Sequence, residues 1–206
     1  LPGGVLSMAA ERACHWFISY FTKRPEVRVL ALAPKREHVI TWSDAAGANR
    51  KIAAFMWSER CGWYYTMWRM PKSVWKRLLR RNDDQIGFQE LAGAVIALMT
   101  FMPWLENQAW TSWVDNQGVL GALIKGGCRA YDTNAVIGQV WLVVAEKRIA
   151  MQLGRVASLS NIADEPTRDS EDWATRVQAK FLKPVIPDWL ACLLYTSPSP
   201  RDQAKS

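Results

Sequence analysis

The chain has 206 residues, half of them hydrophobic and 22% charged, enough to bury a substantial core and suited to one domain with appendages rather than two full ones. Lys and Arg outnumber Asp and Glu by 26 to 19, a net charge of +7 that favours an anionic partner such as nucleic acid. Four scattered cysteines with no CxxC pair and no histidine cluster exclude a zinc knuckle or disulfide framework; the longest apolar run, Leu91 to Leu105, carries Pro103 and is too short for a membrane span, so no membrane partner is expected.

The first segment, "AAERACHWFISYFTKRP", has apolar residues at helical spacing up to Pro25 and predicts a lead-in helix. Three runs rich in β-branched and aromatic residues follow, His38–Gly47, Ile52–Glu59 and Gly62–Met70. Short turn segments separate them, which predicts an antiparallel meander. "KSVWKRLLRR" (Lys72–Arg81) is a basic cluster that reads equally as a solvated helix face or a phosphate contact through Arg77, Arg80 and Arg81. Gly87–Met102 is apolar on nearly every side, the pattern of a buried helix. Ala109–Asn116 reads as a fourth strand, Gln117–Gly126 as a short helix, Asp132–Ala150 as a long one, Met151–Ser158 as a fifth strand and Glu171–Leu182 as a final helix. Strands four and five follow helices, so crossovers join them in parallel to the meander and give an α/β fold with a mixed five-stranded sheet flanked by helices.

Nothing resembling a secretory leader opens the chain, which begins at Leu1 and looks like part of a longer protein. From Cys192 the sequence changes to a Ser/Pro/Arg tail that looks non-native; its own net charge of +1 leaves the basic excess standing. The expected organisation is a connecting segment over 1–37, the α/β domain over 38–183 and a tail over 184–206.

Four acids stand where structure alone accounts for them poorly. Asp44 follows "VITW" in a strand, where Asp is disfavoured; a turn before Ala-Ala-Gly is the plain alternative. Glu90 heads a helix with little exposed face, although the helix dipole favours an acid there. Asp115 closes the fourth strand at the edge where open α/β sheets bind ligands. Asp164, in "SLSNIADEPTRD", reads as a cap or as a functional acid at a helix start. The topology places all four to converge on one edge. Carboxylates about 4 Å apart repel by roughly 4 kcal/mol at an effective dielectric near 20, so such a cluster needs cations. Oxygen donors without Cys or His favour Mg²⁺ or Mn²⁺, and paired ions of this kind serve phosphodiester cleavage.

"TWSDAAG", "FQELAGAVIAL", "SWVDNQGVLGALIKG" and "RVASLSNIADEPTR" resemble the consecutive signature blocks of the ribonuclease H domain of retroelement reverse transcriptases, especially DIRS-like and related retrotransposons. The resemblance runs from about Val39 to Arg168. It implies a ribonuclease-H-like fold and a two-metal endonuclease that hydrolyses the RNA strand of RNA–DNA hybrids, leaving 3′-hydroxyl and 5′-phosphate ends. Asp44 is then implied to bridge two Mg²⁺ ions, with Mn²⁺ a possible substitute; Glu90 and Asp115 hold the ion near the leaving group, and Asp164 completes the site for the ion that activates water. An upstream reverse transcriptase domain of the same polyprotein is the implied partner, and an intracellular location, cytoplasmic or nuclear, follows from that life cycle. Substrate contacts are expected from Asn116, Lys125, Arg129, Ser158, Asn161 and Arg168, although Asn161 and Arg168 also suit roles in ordering the loop.

One departure stands out. Many relatives carry a histidine in the loop before Asn-x-Ala-Asp, whereas this chain has Val156-Ala157-Ser158 and its two histidines, His15 and His38, lie elsewhere. The expected consequence is either slower activity or Ser158 with water serving in its place. The alternative is a catalytically silent ribonuclease-H-like domain that binds nucleic acid; a transposase core would need a different acid pattern. Trp42, Trp57, Trp63, Trp68, Trp75, Trp104, Trp110, Trp113 and Trp141 make the chain tryptophan-rich, and tryptophans on strands and helices are more often packing than base-stacking residues.

Overall fold

In the computed structural model, residues 8–23, 36–47, 49–75 and 85–190 are described. Helix α1 (Met8–Thr22) precedes the meander β1 (His38–Ala46), β2 (Lys51–Ser58) and β3 (Gly62–Arg69). Then come a single turn α2 (Lys72–Trp75), helix α3 (Ile86–Thr100), a further turn α4 (Met102–Leu105) and strand β4 (Ala109–Val114). Helices α5 (Gln117–Lys125) and α6 (Tyr131–Glu146) lead to β5 (Ala150–Arg155); two short helices, α7 (Asp164–Thr167) and α8 (Asp172–Arg176), lead to β6 (Lys180–Phe181). Residues 76–84 and 191–206 lie outside the described residues, and with them Arg77, Arg80, Arg81 and the tail from Cys192.

The sheet runs β5-β4-β1-β2-β3-β6. β1, β2 and β3 pair antiparallel in the expected meander, with Gly62 at φ 75° entering β3, a conformation only glycine adopts without strain. β4 joins β1 in parallel and β5 joins β4 in parallel, because each pair is connected through helices. This is the α/β fold the sequence led us to expect, a mixed sheet of antiparallel and parallel strands flanked by helices, with six strands rather than five.

The sixth strand corrects the reading of Glu171–Leu182 as one helix. α8 stops at Arg176, Gln178 takes φ 52° and ends any helical continuation, and Lys180 and Phe181 pair in parallel with Tyr64 and Tyr65. Aromatic packing competes successfully with helical periodicity here, since the Phe181 ring meets Tyr65 edge-on at a centroid separation of 5.4 Å.

Helix α3 is buried along most of its length, from Phe88 to Leu98, as its apolar sequence demanded. It lies on β1 and β2, with α4, α5 and α6 beside it. The side chains of Val39, Ala45, Ile52, Ala54 and Met56 are the contribution of β1 and β2 to this main core, and Trp110, Val114 and Met151 that of β4 and β5. A second, smaller cluster centred on Phe55, Ala163 and Ala174 fills the opposite face, where Trp42, Trp63 and Trp173 join it. The two faces follow strand alternation: odd positions of β1 meet α3, and even ones, Trp42 and Asp44 among them, look toward α7. Most tryptophans serve packing, as expected; Trp110 is fully buried and its Nε1 donates to Thr41 Oγ1 at 2.9 Å. α1 lies against α6, where Trp16 Nε1 donates to the Gly138 carbonyl at 2.9 Å. Among the described residues no helix is long and apolar enough to cross a membrane.

Candidate active site

Register places the first two acids. Trp42 of β1 is paired with Trp113 of β4, so Asp44 and Asp115, each two residues further along parallel neighbours, stand side by side on one face at the same end of the sheet. Asp44 is only 5% exposed. Asp115 follows the last residue of β4, and its Oδ1 is buried without a hydrogen-bond partner among the described residues.

The third acid arrives with the chain segment that covers this face. Asn161 Nδ2 donates to the Ser43 carbonyl at 3.0 Å, and Asn161 Oδ1 accepts from the Ala163 N–H at 3.3 Å. These bonds fix the loop against β1 one residue before Asp44 and set Asp164 as the first residue of α7. No side chain caps α7, so Asp164 is not spent as a cap on its own helix. Arg168, one turn on, donates from Nε to Asp164 Oδ1 at 2.9 Å.

Thr167 ties the segment down, and it was not anticipated from the sequence. Its side chain is fully buried; Oγ1 lies 3.0 Å from Asp44 Oδ2 and 2.8 Å from the Asp164 carbonyl. A hydroxyl has one proton to give, so it donates to one of these oxygens at a time. From the far side, Asn49 Nδ2 donates to the Thr167 carbonyl at 2.9 Å. The available signal was the spacing: a Thr three residues after a helix-start acid shares its face.

Electrostatics records the convergence. The Asp44 carboxyl is raised from 3.8 to about 6, by burial first and by the Asp115 carboxylate second. The Thr167 hydroxyl bond opposes them, Asp164 adds to the rise, and the Ala45 backbone pulls it down slightly. Asp115, after β4, and Asp164, on α7, therefore both act on Asp44 of β1.

Glu90 sits on the other side of β1. A Cβ on Gly93 would touch Ser43 Cβ at 3.3 Å and the Asp44 carbonyl at 3.6 Å, while one on Gly47 would touch Ile86 at 3.4 Å. α3 thus runs antiparallel to the end of β1, and Glu90, between Ile86 and Gly93, is level with Asp44 to Ala46. It is 8% exposed.

The other expected site residues are distributed along this edge. Asn116 caps α5, its Oδ1 accepting from the Gly118 and Val119 N–H groups at 2.8 and 3.1 Å. Lys125 ends α5 and Arg129 follows it, both exposed. The nine residues of α5 carry the chain about 13 Å along the helix axis from Asn116 to Lys125. Ser158 is exposed in a 3₁₀ turn over Ser158–Ser160. Asn161 is 4% exposed with both ends of its amide engaged inside the protein, a placement that suits ordering the loop and not touching substrate. Neither histidine is near: His38 begins β1, bonded through Nε2 to Thr111 Oγ1 at 2.7 Å, and His15 is on α1 beside Glu11.

The donor set suits a hard divalent cation in kind, since it is all carboxylate and includes a buried, unbonded oxygen on Asp115. Its spacing is looser than a formed site. Among the described residues no three His, Cys, Asp or Glu side chains are gathered closely enough to hold an ion, and Asp44 and Asp164 are engaged by Thr167 and Arg168 instead.

No family model and no curated protein matches the sequence. Several solved structures are similar to it in backbone. An RNase H1 isolated from compost by a metagenomic approach aligns with a TM-score of 0.47 at 10% identity, over 69% of this chain and 99% of that one. The N-terminal RNase H domain of a Mycobacterium tuberculosis protein gives 0.41 at 14% identity, over 69% and 99%. RNase H1 of the halophilic archaeon Halobacterium salinarum gives 0.39 at 11% identity, over 66% and 100%. Likeness at this level compares backbones and is silent on side chains, so the candidate site stands on the residues described above.

Proposed function

We propose that this chain is a metal-dependent endonuclease that hydrolyses the RNA strand of an RNA–DNA hybrid, acting in retroelement reverse transcription beside an upstream polymerase domain of the same polyprotein. The observation that carries it is the meeting of Asp44, Asp115 and Asp164 from three separate elements, with Asp44 held near pH 6 by burial and its acidic neighbours. A stable fold has no use for two acids acting on a third in a half-buried place; a cation-assisted reaction on a phosphodiester has.

Asp44, Asp115, Asp164 and Glu90 are the residues to hold Mg²⁺, or Mn²⁺ in its place, and ions bound there supply polarisation of the phosphate and an acidified water. Asp44 is charged above about pH 6 without an ion, and in that form its carboxylate would serve as a ligand. Thr167 keeps that carboxylate in one rotamer, and Asn161 fixes the backbone at Ser43 so that β1 and α7 move as one. Arg168, exposed and bonded to Asp164, is placed to exchange that carboxylate for a substrate phosphate. Asn116 has its carbonyl oxygen committed to the cap, so its Nδ2 donors are the part left for a 2′-hydroxyl. Lys125 and Arg129 meet the backbone further along the duplex.

The test is incubation of a labelled RNA–DNA hybrid with the full chain in Mg²⁺, Mn²⁺ or EDTA, beside Asp44→Asn. Cutting of the RNA strand by the parent with either metal, none in EDTA, and a loss of at least about 10³-fold in the variant are expected. A second reading is favoured by the loose spacing of the acids: a silent domain that binds hybrids without cutting. Intact RNA with both metals, from folded protein that binds the hybrid, establishes that reading and overturns the first.

A further inference from the structure

One aromatic residue on the acidic face joins neither apolar cluster among the described residues. Trp113 is paired with Trp42 on β1 and with Gly154 on β5, so the three share a row across the sheet. Trp42 is absorbed into the cluster around Phe55, whereas Trp113, half-buried, packs into neither of the two apolar clusters among the described residues. Its six-membered ring lies instead on the bare Cα of Gly154: a Cβ there would stand 2.5 Å from Cζ3, 2.6 Å from Cε3 and 3.1 Å from Cη2. Only glycine leaves room for the ring in this position. Tryptophan is large and apolar, and holding it at a half-open site rather than in a core calls for something to cover it.

Its position says what that is. Trp113 precedes Asp115 by two residues on the same strand face, about 7 Å away, near enough for a sugar next to a phosphate at the acids to lie on the indole. The wide, shallow minor groove of an A-form hybrid presents sugars, and a flat indole suits the face of a sugar ring. The chain's net charge of +7 draws the same ligand. We propose that Trp113, laid against Gly154, is a platform for a sugar of the hybrid adjoining the phosphate presented to Asp44 and Asp115. The inference rests on the nucleic-acid reading above for its ligand, and on the Trp113–Gly154 contact for its place.

Binding of a fluorescein-labelled RNA–DNA hybrid is measured in EDTA, so that cleavage cannot intrude, for the full chain and for Trp113→Leu, Trp113→Phe and Gly154→Ala. Thermal unfolding accompanies each variant. Trp113→Leu keeps apolar bulk without a ring and is expected to weaken binding about fivefold, the lower end of what aromatic contacts to nucleotides contribute. Trp113→Phe retains most of the affinity, and Gly154→Ala, which keeps the indole but displaces it, loses affinity like the leucine variant. A second series carries one acyclic sugar at successive positions; the parent loses affinity at one of them and Trp113→Leu at none. Equal hybrid affinity for folded Trp113→Leu, or for Gly154→Ala should the leucine variant unfold, overturns the platform. The two readings fail separately: RNA left intact in Mg²⁺ with Trp113-dependent binding sinks the nuclease and leaves the platform, unchanged affinity with normal cutting does the reverse, and no hybrid binding by the parent overturns both.

Discussion

Asp44 opposes folding once it is ionised. Its carboxyl ionises near 6 in the folded chain and near 3.8 when unfolded, so the folded state binds its proton more tightly. The stability this gives is complete below about pH 4 and is lost as pH rises through 6. Above that the ionised group costs about 3 kcal/mol, at 1.36 kcal/mol for each tenfold change in proton affinity. Asparagine keeps an oxygen for the Thr167 hydroxyl and carries no charge. Asp44→Asn is therefore expected to raise stability at pH 8 in EDTA by about 1–3 kcal/mol and to change it little at pH 4, read from urea midpoints at the two pH values. An unchanged or lower midpoint at pH 8 would place Asp44 in a solvated pocket, and with it the case for a cation partner would weaken. At this scale the acids were readable because each broke a local rule: Asp44 inside a strand, Glu90 on an all-apolar helix, Asp115 at the ligand-binding edge. Thr167 and Gly154 broke none. Their roles depend on which side chain comes to lie on them, Asp44 in one case and Trp113 in the other, and that is decided by long-range pairing.

The elements repeat the distinction. β1 to β5 and α3, α5 and α6 lie within a few residues of where the apolar patterns put them, because each buries one face or both and the pattern records it. "EDWATRVQAKFL" carries a helical pattern too, yet β6 forms at its end because the edge of β3 offers hydrogen bonds and the Tyr65 ring. A two-residue strand has no periodicity of its own to be read. Among the helices, α3 has the strictest fit to the sheet. Gly93 lets it approach β1, with the place of its absent Cβ 3.3 Å from Ser43 Cβ and 3.4 Å from Ile52 Cγ2. Alanine there recovers helix propensity of about 1 kcal/mol against a tight contact, and the two nearly cancel. Valine adds two methyls with nowhere to go. Gly93→Val is expected to destabilise by about 1–3 kcal/mol and to lift α3 from β1 at the level of Glu90, so that cleavage falls even where the protein stays folded. Thermal unfolding with cleavage at a temperature well below the midpoint checks both; full activity in the folded variant would mean that Glu90 does not depend on this approach.

For the whole molecule the open question is how a chain with an acidic centre attracts a polyanion. The acids are confined to one edge of the sheet, while Lys125, Arg129 and Arg168 are exposed around it, and the excess over the full chain is +7. Under the proposed function the centre without divalent ions would repel a phosphate, so binding would come from the basic surroundings and be driven by released counterions. Each phosphate neutralised contributes about 0.9 to the slope of log affinity against log salt. Three such contacts give a slope near −3 and a loss of roughly 40-fold between 50 and 200 mM. Replacing both Lys125 and Arg129 by alanine is expected to reduce the slope by about 2 in magnitude, with cleavage at saturating hybrid little changed, since neither residue adjoins the acids. Hybrid affinity in EDTA, titrated with KCl for the parent and the double variant, reads this directly. A parent slope near zero would remove the electrostatic basis for a nucleic-acid partner; a steep slope that the double variant leaves intact would move the binding track away from the far end of α5.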